Sequence, residues 1–327
     1  MNRRAFIQAI AIAAAAWPLA ARAEPPTIDY PTRPITLVVP YSAGGGNDAM
    51  ARVVAERMSR TLGQQIVIEN RGGAGGSLAT RQVANAAPDG NTLAIGGTGT
   101  LAVAPTLYPN AGYDPREDFA PVGLIATSPL IILVHPSLPA HNVRDLIALA
   151  KAQPGRLNYA SAGNGSGIHL STVLFAATAG IELTHIPYKG TGQALTDVLG
   201  GHVAIYFSSP PPAIGLVKDG KLRALAVTGL KRSATFPDLP TVAESGLPGF
   251  EAVLHYGIVA PAGTPRPVID KLNAALREAL GAADVHGRLA MEGAEPLATT
   301  PEEYAADIDR EETKWSAIVK KAGAKAE

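Results

Sequence analysis

The stretch Ile35-Thr36-Leu37-Val38-Val39-Pro40-Tyr41-Ser42-Ala43-Gly44-Gly45-Gly46-Asn47-Asp48, running on to Gly63, decides the fold. Residues 35–39 are a short unbroken apolar run, the pattern of a parallel strand covered on both faces. Residues 40–47 read as a loop. From Asp48 the period changes: Met50, Val53, Val54, Met58 and Leu62 fall on one helical face, and Gly63 stops the helix. The alternation continues outward. Gln65–Glu69 reads as a strand, 70–76 as a glycine-rich loop, and Ser77 to about Ala87 as a helix. Pro88-Asp89-Gly90 reads as a turn and Thr92–Gly96 as a strand. This β-α-β-α-β order opens a doubly wound α/β domain.

The same order resumes further on. Strands are predicted at 157–160, 183–186, 203–207 and 222–228, with helices over 167–179 and 191–200. Two segments about 125 residues apart also look alike. Ile131-Ile132-Leu133-Val134-His135-Pro136 and Gly257-Ile258-Val259-Ala260-Pro261 are each followed by a second proline and an amphipathic helix. We read them as two crossings between lobes, with the chain leaving the first lobe near 127 and returning near 255. That division puts lobe 1 at 24–127 plus 256–327 and lobe 2 at 128–255. A C-terminal helix over 301–322 is expected to pack back on the first lobe. Crossings of this kind let two lobes close on a ligand.

The first 23 residues read as a signal peptide. Arg3 and Arg4 form a charged start, Ala5–Ala21 is almost wholly apolar, and Ala21-Arg22-Ala23 offers a cleavage site. Both Sec and twin-arginine export fit, so the expected destination is the periplasm. The intact chain balances 28 basic against 28 acidic side chains. Cleavage removes Arg3, Arg4 and Arg22 and no acid, which leaves 25 against 28, or −3. Such a charge carries no nucleic-acid footprint, and an anion site here must be local. With no cysteine, thiol nucleophiles, iron–sulfur clusters and thiolate zinc sites are excluded. The seven histidines have no metal-ligand spacing, so neither a metal nor a cofactor is expected.

Two loops carry the candidate chemistry. In the first, Tyr41, Ser42, Ala43, Gly44, Gly45 and Asn47 precede or open a helix. Glycines there let backbone N–H groups approach a ligand, and the helix start adds its dipole. Asp48 reads chiefly as a residue of that helix start, with Arg52 one turn on. The second loop, around Ser161, Gly163, Asn164, Gly165 and Ser166, repeats the device, with His169 in the next turn. Ser166 has no nucleophile elbow, because Asn164 stands where its first glycine belongs, so a hydrolase is disfavoured. Thr98 lies in Gly97-Thr98-Gly99-Thr100, read as a ligand-facing loop or a turn. Tyr188, Lys189, Phe207 and Ser208 follow or end strands, where open α/β sheets bind ligands.

With these residues in view, the chain resembles the Bug family, extracytoplasmic solute receptors of tripartite tricarboxylate transporters. The matching segments include VPYSAGGGNDAMAR, LGQQIVIENRGGAGG, LNYASAGNGSGIHL, ELTHIPYKGTGQALTDVLGG and DLPTVAESGLPGFEA. The resemblance implies an α/β, type II periplasmic-binding-protein fold: two doubly wound α/β lobes joined by two crossing strands. It implies a receptor, not an enzyme, whose two glycine loops grip a small organic carboxylate and whose partners are membrane transporter subunits. A sensor that presents ligand to a membrane signalling protein needs the same clamp. We expect a monomer. The chain departs from the family pattern at Ser42, where proline is common, and at Val173 and Ala204, where acids are frequent. Those two losses predict a less polar cleft and a ligand bulkier or more apolar than aspartate or glutamate.

Overall fold

The structure is a computed structural model and describes residues 29–108 and 110–322. The expected signal peptide lies outside the described residues. Strand β1 (Ile35–Val39) is buried because β2 (Ile66–Asn70) and β3 (Thr92–Gly97) flank it in parallel, which is why its sequence is apolar without alternation. Helix α1 (Gly46–Leu62) buries Met50, Val53, Val54, Met58 and Leu62 and ends at Gly63, whose φ of 70° is the left-handed conformation of a helix cap. Helix α2 (Ser77–Ala84) is shorter than its sequence suggests, ending at Asn85 ahead of Pro88.

Beyond β3 the chain forms one turn of π-helix (Thr98–Val103) and the short α3 (Ala104–Leu107), where the sequence suggested a loop. It then enters β4 (Phe119–Pro129), which sequence periodicity did not reveal. Leu130 alone separates β4 from β5 (Ile131–Val134), the first strand of a second sheet. There α4 (Val143–Ala152), β6 (Asn158–Ser161), α5 (Gly167–Ala179), β7 (Thr184–Pro187) and α6 (Thr191–Leu199) follow. The second sheet ends with β8 (Ile205–Ser208), α7 (Pro210–Lys218) and β9 (Arg223–Val227). The chain returns to the first sheet as β10 (Val253–Pro261), then α8 (Arg266–Gly281), α9 (Ala283–Met291), β11 (Glu295–Pro296) and α10 (Pro301–Ala322).

The two sheets share one plan. The first has the order β11-β4-β10-β3-β1-β2 and the second β7-β6-β8-β5-β9. In each, three parallel strands (β2-β1-β3 and β7-β6-β8) are followed by an antiparallel one, β10 or β5. Strands β5 and β10 are the two segments that look alike in sequence, and each is the first strand after the chain changes sheets. Their likeness therefore reflects equivalent positions. The same plan makes the β1–α1 and β6–α5 loops equivalent.

Three hydrogen-bonding residues tie the sheet changes together. Thr228, fully buried, accepts the Leu130 N–H on its hydroxyl oxygen at 2.7 Å and donates that hydroxyl to the Ala252 carbonyl at 2.5 Å. Its own N–H reaches the Leu130 carbonyl, and its carbonyl accepts the Ala252 N–H, both at 2.9 Å. Helix α10 braces β10 from behind. Tyr304 packs its ring where a Cβ on Gly257 would sit, 2.3 Å from its Cζ, and Asp307 meets His255 Nδ1 at 2.7 Å. The second sheet has its own aromatic core, with Phe175 edge-on to Phe207 and Phe250.

Candidate functional site

Helices α1 and α5 both start at one cavity between the two sheets, of about 40 Å³. Gly46 and Asn47 line it from α1, Gly167 and Ile168 from α5. The first residues of a helix have no carbonyl one turn back, so their N–H groups are free to serve a ligand. At α1 the cap is Gly45, which offers no side chain to consume those N–H groups. At α5 the cap is Ser166, whose hydroxyl takes the His169 N–H at 3.2 Å and leaves Gly167 and Ile168. The π-turn contributes Gly97 through Thr100, and β10 contributes Leu254, His255 and Tyr256. Ala162, Thr191 and Ser209 complete the wall from the second sheet's side.

Among the described residues no Lys, Arg, Asp or Glu lines this cavity. The two helix starts bring positive potential to it through their peptide dipoles. Two phenols face it. Burial raises the pKa of both Tyr41 and Tyr256 far above the usual phenol range, so both keep their protons. Tyr41 spends its proton on the Gly75 carbonyl at 2.9 Å.

The structure sorts the residues singled out from sequence. Tyr41, Gly45, Asn47, Thr98 and Ser166 line the cavity. Thr98 also accepts the His255 N–H on its hydroxyl at 2.9 Å, which fixes the π-turn against β10. Ser42, Ala43 and Gly44 sit at the rim, where the Ser42 hydroxyl donates to the Lys189 carbonyl at 2.9 Å. Asp48 is buried in the first turn of α1. Burial opposes its ionisation, but the Arg52 guanidinium and the Gly44 N–H outweigh that and hold its carboxyl below the usual range.

In the second loop, Ser161 and His169 lie beneath the cavity wall. His185 Nε2 meets the Ser161 hydroxyl at 2.6 Å, and the His169 ring stacks on His185 at 4.1 Å. Burial, aided by the neighbouring His185, drives His169 down to about 3, and burial alone drives His185 down to about 4. His169 Nδ1 accepts the Gly165 N–H at 3.1 Å, so a neutral ring supports the loop from below. Gly163, Asn164, Tyr188 and Lys189 line a wider outer hollow of about 420 Å³ that shares Ala162 with the inner cavity. There Tyr108 donates to the Asn164 carbonyl at 2.6 Å. Gly75 comes so close to Asn164 that a Cβ would lie 2.0 Å from its carbonyl oxygen.

Two of the residues singled out from sequence stand elsewhere. Phe207 and Ser208 do not line the cavity, because Phe207 belongs to the aromatic core and the Ser208 hydroxyl turns to the Ser209 carbonyl at 2.8 Å. The lining residue at that strand end is Ser209. Val173 and Ala204 do not line it either, so the cleft's lack of acids comes from other positions. Gly46, the third glycine of the first loop, also lines the cavity, and sequence reasoning did not single out Thr191, Ser209 or Tyr256. Tyr256 was within reach as part of the second crossing, and Ser209 as the residue before three prolines.

Comparisons with known proteins show the family and the fold. The family model described as "Tripartite tricarboxylate transporter family receptor" matches residues 50–324. The structure of the periplasmic binding protein BugD is 40% identical, with a TM-score of 0.87 over 91% of this chain and 100% of that one. R. palustris Rpa4515 with adipate is 40% identical, with a TM-score of 0.87 over 90% of this chain and 99% of its own. MatC from Rhodopseudomonas palustris with bound malate is 37% identical, with a TM-score of 0.84 over 89% and 100%. The chain therefore belongs to the tripartite tricarboxylate transporter receptor family, the Bug family, as a solute-binding protein with the two-lobed α/β fold of periplasmic binding proteins, not an enzyme.

Proposed function

We propose that this protein is an exported periplasmic receptor that takes a small organic carboxylate between the starts of α1 and α5 and delivers it to the membrane subunits of a tripartite tricarboxylate-type transporter. The observation that carries this reading is the meeting of two helix starts, one from each sheet, in a single cavity that, among the described residues, no Lys, Arg, Asp or Glu lines. A carboxylate there would be neutralised by amides and dipoles, each helix start contributing on the order of 1 kcal/mol. A mature net charge of −3 is compatible with such a site.

The two lobes, 24–127 plus 256–327 and 128–255, act as two bodies hinged where Thr228 joins Leu130 and Ala252. Ser42, Tyr108, Gly163, Asn164, Tyr188 and Lys189 form the rim along which they close, and Tyr41, Gly45, Asn47, Thr98 and Ser166 contact the ligand. Residues 1–23 direct export by the Sec or twin-arginine route, and the receptor works as a monomer. The adipate and malate carried by two similar structures support a carboxylate as cargo.

A thermal-shift screen over carboxylic acids tests the reading. A ligand present at 100 times its Kd adds about 2.7 kcal/mol to stability, a shift easily read. At least one small carboxylate should raise the melting temperature, and uncharged amides of the same skeleton should not. Stabilisation by sugars or cationic amines alone would refute it.

A further inference from the structure

Ser209 is 2% exposed, and its hydroxyl has no hydrogen-bond partner among the described residues. Its position explains the orphan. Ser209 caps α7, whose first three residues are Pro210, Pro211 and Pro212. A serine cap normally accepts the N–H of the second or third helical residue, and proline has none. The hydroxyl is thus freed from the task its position would give it and faces the cavity instead.

It does not face the cavity alone. A Cβ on Gly46 would lie 2.8 Å from the Tyr256 hydroxyl and 3.2 Å from the Ser209 hydroxyl, so both converge on Gly46, the first residue of α1. Thr191 stands beside them, 3.1 Å from where a Cβ on Gly45 would be. Its oxygen already accepts the Tyr206 hydroxyl at 3.1 Å, which leaves its own hydrogen to donate. Burial keeps the Tyr256 phenol protonated.

We propose that Ser209 and Tyr256 form a subsite for an uncharged hydroxyl on the carbon next to the bound carboxylate, making 2-hydroxycarboxylates the preferred ligand class. This rests on the reading that a carboxylate occupies the α1 helix start. Serine, tyrosine and the ligand's hydroxyl each donate and accept, so the three satisfy one another. A 2-ammonium group brings a positive charge and three donors to a corner that, among the described residues, no Asp or Glu lines. A plain methylene leaves the buried Ser209 hydroxyl unpaired.

The test is calorimetry on the full mature chain with three matched sets: lactate, propionate and alanine; malate, succinate and aspartate; mandelate, phenylacetate and phenylglycine. In the set that binds most tightly, the hydroxy acid should lead both companions by about tenfold. In Ser209→Ala the ratio of hydroxy to unsubstituted acid should fall to within about twofold. The ligand-free melting temperature of that variant should not drop, because an unpaired hydroxyl has been removed. Equal binding of the unsubstituted acid, tighter binding of the amino acid, or a hydroxy preference that survives Ser209→Ala overturns the subsite. If none of the nine binds while another carboxylate stabilises the protein, the subsite alone fails. If no carboxylate binds at all, the proposed function fails with it.

Discussion

Replacing Thr228 with valine tests whether one buried hydroxyl holds the two sheet changes together. Valine keeps the branched shape and removes only the hydroxyl, so packing is conserved. The Leu130 N–H and the Ala252 carbonyl then lose their partner in a region where all three residues are fully buried. Each unpaired group costs about 1–3 kcal/mol. The added valine methyl returns about 0.8 kcal/mol of apolar burial. The two remaining backbone hydrogen bonds of Thr228 limit any rearrangement that could rescue the orphans. The net loss is therefore about 3 kcal/mol, within a range of about 1–5 kcal/mol, which for a chain of this size lowers Tm by roughly 5 °C. Thr228→Ser, which keeps the hydroxyl and drops a methyl, should lose about 1 kcal/mol. Differential scanning calorimetry of the two variants separates hydrogen bonding from packing. If valine melts with the wild type, or serine falls as far as valine, Thr228 is not the node described.

Three further outcomes follow from the site. Gly46→Ala places a methyl 2.8 Å from the Tyr256 hydroxyl in the small cavity, so the phenol must shift and carboxylate binding should weaken by about tenfold or more; undiminished calorimetric affinity would contradict the position given to the ligand. Tyr108→Phe removes the hydrogen bond to the Asn164 carbonyl across the rim, which should weaken the closed state by about 1 kcal/mol and raise Kd about fivefold, with small-angle scattering of the ligand-free protein more extended; an unchanged Kd would refute the rim's role in closure. Acid should act through His169 and His185, whose pKa values in the fold, about 3 and about 4, lie below the unfolded value near 6.5. The unfolded chain then binds protons the fold refuses, so stability is complete above about pH 7 and falls as pH drops through 6.5, by about 1 kcal/mol per histidine at pH 5.5 and less for the half-buried His185. Urea unfolding at both pH values checks this: His169→Gln should show the shallower dependence, and equal slopes would remove His169 from the account.

The parts of the fold legible in the sequence are those whose apolar spacing matches one environment. Strand β1 lies in a parallel sheet and is apolar throughout, and α1 shows a single buried stripe closed by Gly63. Strand β4 was not legible because Pro121 interrupts it; the strand tolerates that proline where its register with β10 shifts, between Ile258 and Val259. Helix α7 hid behind Pro210-Pro211-Pro212, which a helix accepts only in its first turn, where no N–H is needed. The glycine loops were legible as devices, because glycine before a helix start has few other physical uses. Which side chains complete the cavity was not legible. Tyr256 and Ser209 arrive from strands distant in sequence, and their convergence on Gly46 exists only in the folded chain. Lys189 drew attention by its place after a strand, and it is its backbone carbonyl that accepts the Ser42 hydroxyl.

The most direct measurement is a crystal structure of the mature protein with the best carboxylate from the screen. The account predicts carboxylate oxygens about 3 Å from N–H groups at the starts of both α1 and α5, among Gly46, Asn47, Gly167 and Ile168, with no cationic side chain in contact. A carboxylate paired instead with Lys189 or Arg52, or seated in the outer hollow alone, would contradict it.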